Sequence, residues 1–212
     1  MWASYGASDD GPDEDFFRRM SAPENEVPVA LPLNTVLART DDVAIALQRL
    51  SVYTTGVSFD LVVRLRPDAA SARGRDVNEL IWGHGPAPVQ GGFLLGVEFA
   101  DGRRASNLAG RHGPVPGDQI VFTQGGGSGG MASVEQSWWL NPLPPEGPLR
   151  IVVRCPELGI DERSIVLDGT AIRAAAPAVV VLWPWAPPPE SGPYEPPTPP
   201  DVPDDSWFAP PD

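Results

Sequence analysis

The chain predicts an all-β fold: an antiparallel β-sandwich of immunoglobulin-like architecture, with a short C-terminal helical segment and disordered, proline-rich acidic arms. Three observations predict it. Apolar residues recur at every second position through most of residues 27–185, turn-forming residues separate these runs, and acid and proline gather at both ends. The expected division is an acidic arm over 1–26, a β-sandwich domain over 27–185 and a tail over 186–212.

Residues 1–26 carry seven acidic and two basic side chains and too little apolar content to fold alone. Asp13–Met20 places acids before Arg18 and Arg19, the order a helix dipole favours. A helix this short needs a surface to lie on.

Val27–Leu37 reads as an edge strand, because Pro28 and Pro32 cannot donate to a central ladder. Val43, Ile45 and Leu47 alternate, then Leu50 and Val52 change parity, which predicts a β-bulge near Gln48-Arg49. Val57–Arg66 places Val57, Phe59, Leu61, Val63 and Leu65 on one face, with Val62 out of pattern. Asp76–Trp82 predicts a short helix. Phe93, Leu95, Val97 and Phe99 form the next strand, and Asp101-Gly102 after it suits a two-residue type I′ hairpin turn. Gly125–Gly130 reads as a flexible loop tip.

Val134, Gln136, Trp138 and Leu140 share one strand face, followed by a stiff connector over Asn141–Pro148. Neighbours in a strand face opposite ways, so Trp138 is expected inside and Trp139 outside. An outward Trp139 reads either as a binding anchor or as a ring covered by an arm or by the C-terminal helix. Leu149, Ile151, Val153 and Cys155 alternate, and Ile165 and Leu167 continue after the turn at Gly159. Asp168 suits the N-cap of a helix carrying Ile172, Ala175, Ala176, Val179 and Trp183 at spacings of three and four. Pro177 interrupts that pattern, and Val179–Val181 reads equally as a strand.

Composition excludes several chemistries. All 15 basic residues are arginine, so no lysine exists to anchor pyridoxal phosphate or to serve a P-loop. The glycine run is followed by no Gly-Lys-Ser/Thr and by no helix that would hold phosphate. The single cysteine, Cys155, excludes an internal disulfide framework and is in phase with the core. No apolar run reaches the roughly 20 residues that span a bilayer, and the first residues lack the pattern of a signal peptide. The expected compartment is the cytoplasm. The net charge of −13 disfavours nucleic acid and anionic membranes. It comes mostly from the ends, since residues 186–212 add six acids and no base.

The candidate site residues are few. His84 and His112 both sit beside glycines, with no ligand-spaced His or Cys nearby, so no metal, cofactor or catalytic set is expected. The carboxylate pairs Asp41-Asp42 and Asp161-Glu162 suit solvated turns. The tail ends in Asp204-Asp205-Ser206-Trp207-Phe208, an aromatic pair in an acidic frame. Such a layout reads as a docking peptide or as a solvated terminus; in composition it resembles the tails of bacterial single-stranded-DNA-binding proteins.

Leu37–Ala44, Val52–Phe59, Leu95–Arg103, the glycine run, Trp139–Pro148 and Leu182-Trp183-Pro184-Trp185 together resemble a family of uncharacterised proteins from high-GC actinobacteria. The resemblance covers residues 27–185 and implies a bacterial cytoplasmic protein with one domain and no assigned site. The expected function is a non-enzymatic protein-binding or scaffold module whose partner is another protein, with Trp139, Trp207, Phe208, His84 and His112 as candidate binding residues. The alternatives are a hydrolase using a loop histidine with carboxylates, and an acidic mimic that occupies a nucleic-acid-binding partner.

Overall fold

A computed structural model describes residues 14–69, 77–82, 92–108 and 119–187; eleven strands and three α-helices lie wholly among the described residues, and 67–69 are helical as well. Helix α1 spans Glu14–Met20, α2 Val77–Trp82 and α3 Gly169–Ala175. The strands are β1 (Glu26–Val27), β2 (Val29–Arg39), β3 (Val43–Val52), β4 (Val57–Leu65), β5 (Leu94–Glu98), β6 (Arg104–Ser106), β7 (Val121–Gly130), β8 (Ser133–Asn141), β9 (Pro148–Cys155), β10 (Ile160–Asp168) and β11 (Val180–Val181). They form antiparallel sheets of five strands, β2-β3-β4-β8-β7, four strands, β10-β9-β5-β6, and two strands, β1-β11. The fold is therefore all-β in its main elements.

One hydrophobic cluster draws on both large sheets. Ile45, Leu47, Leu61, Val63 and Trp138 come from the five-stranded sheet, and Leu95, Val97, Leu149, Ile151 and Val153 from the four-stranded one. Each is at most 2 % exposed. Burial of each aliphatic side chain stabilises the fold by about 1.5–3 kcal/mol. At the margins β10 contacts β2 and β6 contacts β7, so strands of the two sheets meet at both sides of the core.

The alternation read from the sequence maps onto burial in β3, β4, β8 and β9. The expected bulge is present. Pairing of β3 with both neighbours shifts after Gln48, and Arg49 takes a φ of 51° there. That extra residue returns Leu50 and Val52 to the core. β2, with Pro32, lies at the edge of its sheet.

Asp168 caps α3, accepting from the amides of Thr170 at 2.9 Å and Ala171 at 3.1 Å. Ile172 on that helix is 1 % exposed. Asp168→Ala is expected to cost about 1 kcal/mol and to lower the melting temperature by about 2–4 °C. Thermal denaturation checks this; an unchanged midpoint would contradict the capping role.

Several expectations are corrected. The Asp101-Gly102 turn is not type I′, which needs positive φ at both central residues; only Gly102 has it, at 86°. The Gly102 amide donates to Phe99 O at 2.9 Å and the Phe99 amide to Arg103 O at 2.9 Å, giving a three-residue hairpin loop. Gly125–Gly130 is not a loop tip but the last six of the ten residues of β7. Gly127 and Gly129 pair with Gln136 and Val134, and α2 lies directly on them. A Cβ on Gly127 would stand 3.0 Å from the Trp82 ring. Here glycine serves close approach of a helix to a strand.

Asp161 and Glu162 lie within β10 rather than in a turn. Residues 14–26, expected within a disordered arm, take up α1 and the start of β1. Trp183, expected in the core stripe, is 58 % exposed. α3 ends at Ala175, a 3-10 turn over Ala176–Ala178 carries Pro177, and the chain is extended at Val180–Val181. Val179–Val181 thus leads into a strand, and the helical spacing never reaches Trp183.

Candidate functional site

β8 sends its two tryptophans to opposite faces. Trp138 enters the core, 2 % exposed, stacked on Phe122 at 4.7 Å with its Nε1 donating to Gln136 Oε1 at 3.2 Å. Trp139 faces outward and meets Tyr53 edge-on at 5.5 Å. It is nevertheless only 4 % exposed, because α1 covers it. Trp139 is therefore not a free anchor; of the readings left open, the N-terminal arm is what covers it.

The contact follows from the chemistry of a helix end. The last four carbonyls of a helix have no partner within it. In α1, Arg19 O accepts from Trp139 Nε1 at 2.8 Å, and Met20 O accepts from Thr123 Oγ1 at 3.3 Å. Arg19 Nη2 donates to Gln119 O at 2.6 Å, and Arg19 Nε reaches Asn141 Oδ1 at 3.4 Å. Asn141 is in turn held by its Nδ2 bond to Thr55 O at 3.0 Å. The five-stranded sheet thus presents donors where the helix end needs them.

A second set of bonds joins the arm to the segment leaving the domain. β1 pairs with β11, Leu182 N donates to Asn25 O at 2.8 Å, and Asn25 Nδ2 donates to Trp183 O at 2.7 Å. The Arg18 guanidinium lies 4.5 Å from the centre of the Trp185 ring. The Thr54 amide and hydroxyl donate to the Glu26 carboxylate, tying β1 to the β3–β4 turn.

Between arm and exit segment runs a groove of about 390 Å³, lined by Phe17, Arg18, Met20, Asn25, Trp183 and Trp185 among others. Beside it the exit strand is apolar and open: Val180, Val181, Leu182 and Trp183 are 48–58 % exposed. A second hollow, about 370 Å³, lies around Gly96 on the four-stranded sheet. Its charges are largely paired, with Glu98 2.7 Å from Arg104 and 3.6 Å from Arg150.

The other candidate groups are placed as follows. His84, His112, Trp207 and Phe208 lie outside the described residues. Cys155 is buried in the core. Asp60 is paired with Arg49, and Asp42 sits in the β2–β3 turn, its amide donating to Thr40 Oγ1 at 3.3 Å. The Arg103 side chain and amide beside Asp101 hold that exposed carboxyl below its usual range. Among the described residues no three His, Cys, Asp or Glu are grouped to hold a metal ion, and no helix is long and apolar enough to cross a membrane.

Reading the sequence missed Arg18, Arg19, Asn25 and Tyr53. One signal was available for the arginines: they end a short helix, where their own charge and the open carbonyls favour a polar docking surface. Asn25 carried no such signal. No protein-family model, curated protein or solved structure matches the chain.

Proposed function

We propose that the chain is a protein-binding module of the cytoplasm, its two large sheets packed as an immunoglobulin-like β-sandwich, with the groove between arm and exit strand as the partner site. The observation that carries this is the run Val180-Val181-Leu182-Trp183, four consecutive apolar side chains about half exposed beside a groove with aromatic walls. Exposed apolar side chains beside an aromatic groove favour an interaction site, where tryptophan and arginine are enriched among the residues that carry binding energy. The partner that fits is a protein segment offering an apolar anchor, since Phe17, Met20, Trp183 and Trp185 line the groove together with the polar Arg18, Glu24 and Asn25.

The test is affinity capture from the native cell with the wild-type chain and with a Val181→Asp/Trp183→Asp variant. Both side chains are more than half exposed, so the two large sheets should fold in the variant, while an aspartate at position 181, opposite Glu26, also weakens the β1–β11 pair. The expected outcome is a partner lost at least tenfold by the variant. Equal recovery of the same partners by both proteins would sink the reading.

A further inference from the structure

β11 belongs to a sheet of two strands, and its far edge pairs with no strand among the described residues. A two-stranded ribbon is marginal by itself and gains stability from a third strand. The register fixes where the open backbone groups point. Val181 stands opposite Glu26, and Leu182 N donates to Asn25 O at 2.8 Å. Val181 and Glu26 therefore form a pair that exchanges no hydrogen bonds, so the N–H and C=O of Val181 point away from β1. Val180, Val181 and Leu182 are 48–56 % exposed, and the stretch holds no charge and no proline. Edges are commonly blunted by charge or proline, and an open apolar one is a template for another strand. The large sheets differ in this respect: β2 carries Pro32 and contacts β10, and β6 contacts β7.

We propose that a second copy of the chain supplies the missing strand, the two β11 strands running antiparallel across a two-fold axis at Val181. This rests on the reading of the exit strand as a protein-binding surface and names its partner. Self-pairing suits this edge. At the axis each Val181 N–H donates to the Val181 C=O of the other copy, so one donor and one acceptor are satisfied on both sides. Beside the axis Val180 faces Leu182 of the second copy, an aliphatic pair on one face. No like charges meet there. Glu26 lies one strand away from the edge, its carboxylate bonded by the Thr54 amide and hydroxyl. The two β1 strands stand three strand spacings apart, about 14 Å, beyond the Debye length of about 8 Å at physiological salt. The product is a four-stranded sheet, β1-β11-β11-β1, that covers apolar side chains now open to water. Its contact area is of the small, weak class, so the two copies exchange readily.

The test is sedimentation equilibrium of the full chain from micromolar to millimolar concentration. The expected result is a mean mass that rises from one chain toward two. The net charge of −13 opposes the approach of two copies, so added salt should strengthen association. Val181→Pro removes the outward N–H and leaves the bond of Leu182 to Asn25, so the arm stays in place, as unchanged cleavage after Arg18 and Arg19 would show. It should weaken association about tenfold or more. Disulfide formation reads the register. With the axis at Val181 the two Cα atoms there are about 5.5 Å apart, whereas the two Leu182 Cα atoms lie beyond the limit of about 7 Å for a disulfide. Oxidation should therefore link two copies of the Val181→Cys chain about tenfold faster than two copies of the Leu182→Cys chain. Cys155 is 0 % exposed and is spared. A single-chain mass at every concentration, association unchanged in Val181→Pro, or equal linking by the two cysteines overturns the proposal. The capture experiment with Val181→Asp/Trp183→Asp reports on the exit strand independently. A partner lost there, from a chain that stays single at millimolar concentration, gives the edge to another protein; it leaves the exit-strand reading intact and removes only the second copy from it.

Discussion

Trp139→Ala releases the N-terminal arm while the two large sheets stay folded. Several contacts hold the arm, and this substitution removes the one at the end of α1. The indole hydrogen bond to Arg19 O is lost, together with the ring surface that α1 covers and its edge-on contact with Tyr53. The hydrogen bond contributes about 1 kcal/mol and the ring surface that α1 covers about as much again, so the docked arm loses about 2 kcal/mol. A seven-residue helix has no stability of its own to set against that loss. Limited proteolysis after Arg18 and Arg19 measures it directly: cleavage should accelerate at least tenfold. Trp139→Phe, which keeps a ring without the donor, should fall between. Unchanged cleavage in Trp139→Ala would show that the arm is held by its other contacts alone.

One position earlier the same substitution acts on a different part of the molecule. Trp138→Ala is expected to destabilise the whole domain by about 3–5 kcal/mol, the range for deleting a large buried ring. Trp138 is 2 % exposed and stacks on Phe122, and the variant leaves both that face and Gln136 Oε1 without their partner. The buried Gln136 adds its own unpaired acceptor to the cavity. Domains of this size are stable by about 5–15 kcal/mol, so a large share of the total is at stake. Urea unfolding followed by circular dichroism reads the change. A loss below about 1 kcal/mol would mean that the core closes around the missing ring. The two neighbours thus separate the roles of the two sheet faces: Trp138 determines whether the domain folds, and Trp139 whether the arm stays on it.

The opposite facing of these two rings was legible from period-two alternation alone. So were β3, β4, β8 and β9, the bulge at Arg49 and the cap at Asp168, because each is specified by local chemistry: alternation, parity change and side-chain capping. What was illegible depended on contacts between distant segments. Glycine disfavours strands, so Gly125–Gly130 read as a loop; its place in β7 follows from α2 lying against it, which no local pattern announces. Trp183 read as core because helical spacing was extended through Pro177, whereas the chain straightens after Ala178. The cover over Trp139 was legible only as a choice. It took the positions of Arg19 O and Met20 O to show that the arm supplies it. The groove combines the first and last described segments of the chain, so no window of sequence contained it.

The uneven charge acquires a structural meaning from this. The acidic N-terminal stretch is joined through Arg18, Arg19 and Asn25 to the exit strand and to the sheet, so part of it belongs to the site and not to solvent alone. A truncation that begins at residue 27 removes one wall of the groove along with the arm.

The central claim is that arm and exit strand form one partner site. The most direct test measures the affinity of a captured partner for the wild-type chain, Trp139→Ala and Trp183→Asp in parallel. The account predicts at least a tenfold loss for both variants, although Trp139 is on β8 beneath the arm and Trp183 is on the exit strand. Wild-type affinity in Trp139→Ala, with its arm shown to be released, would contradict it.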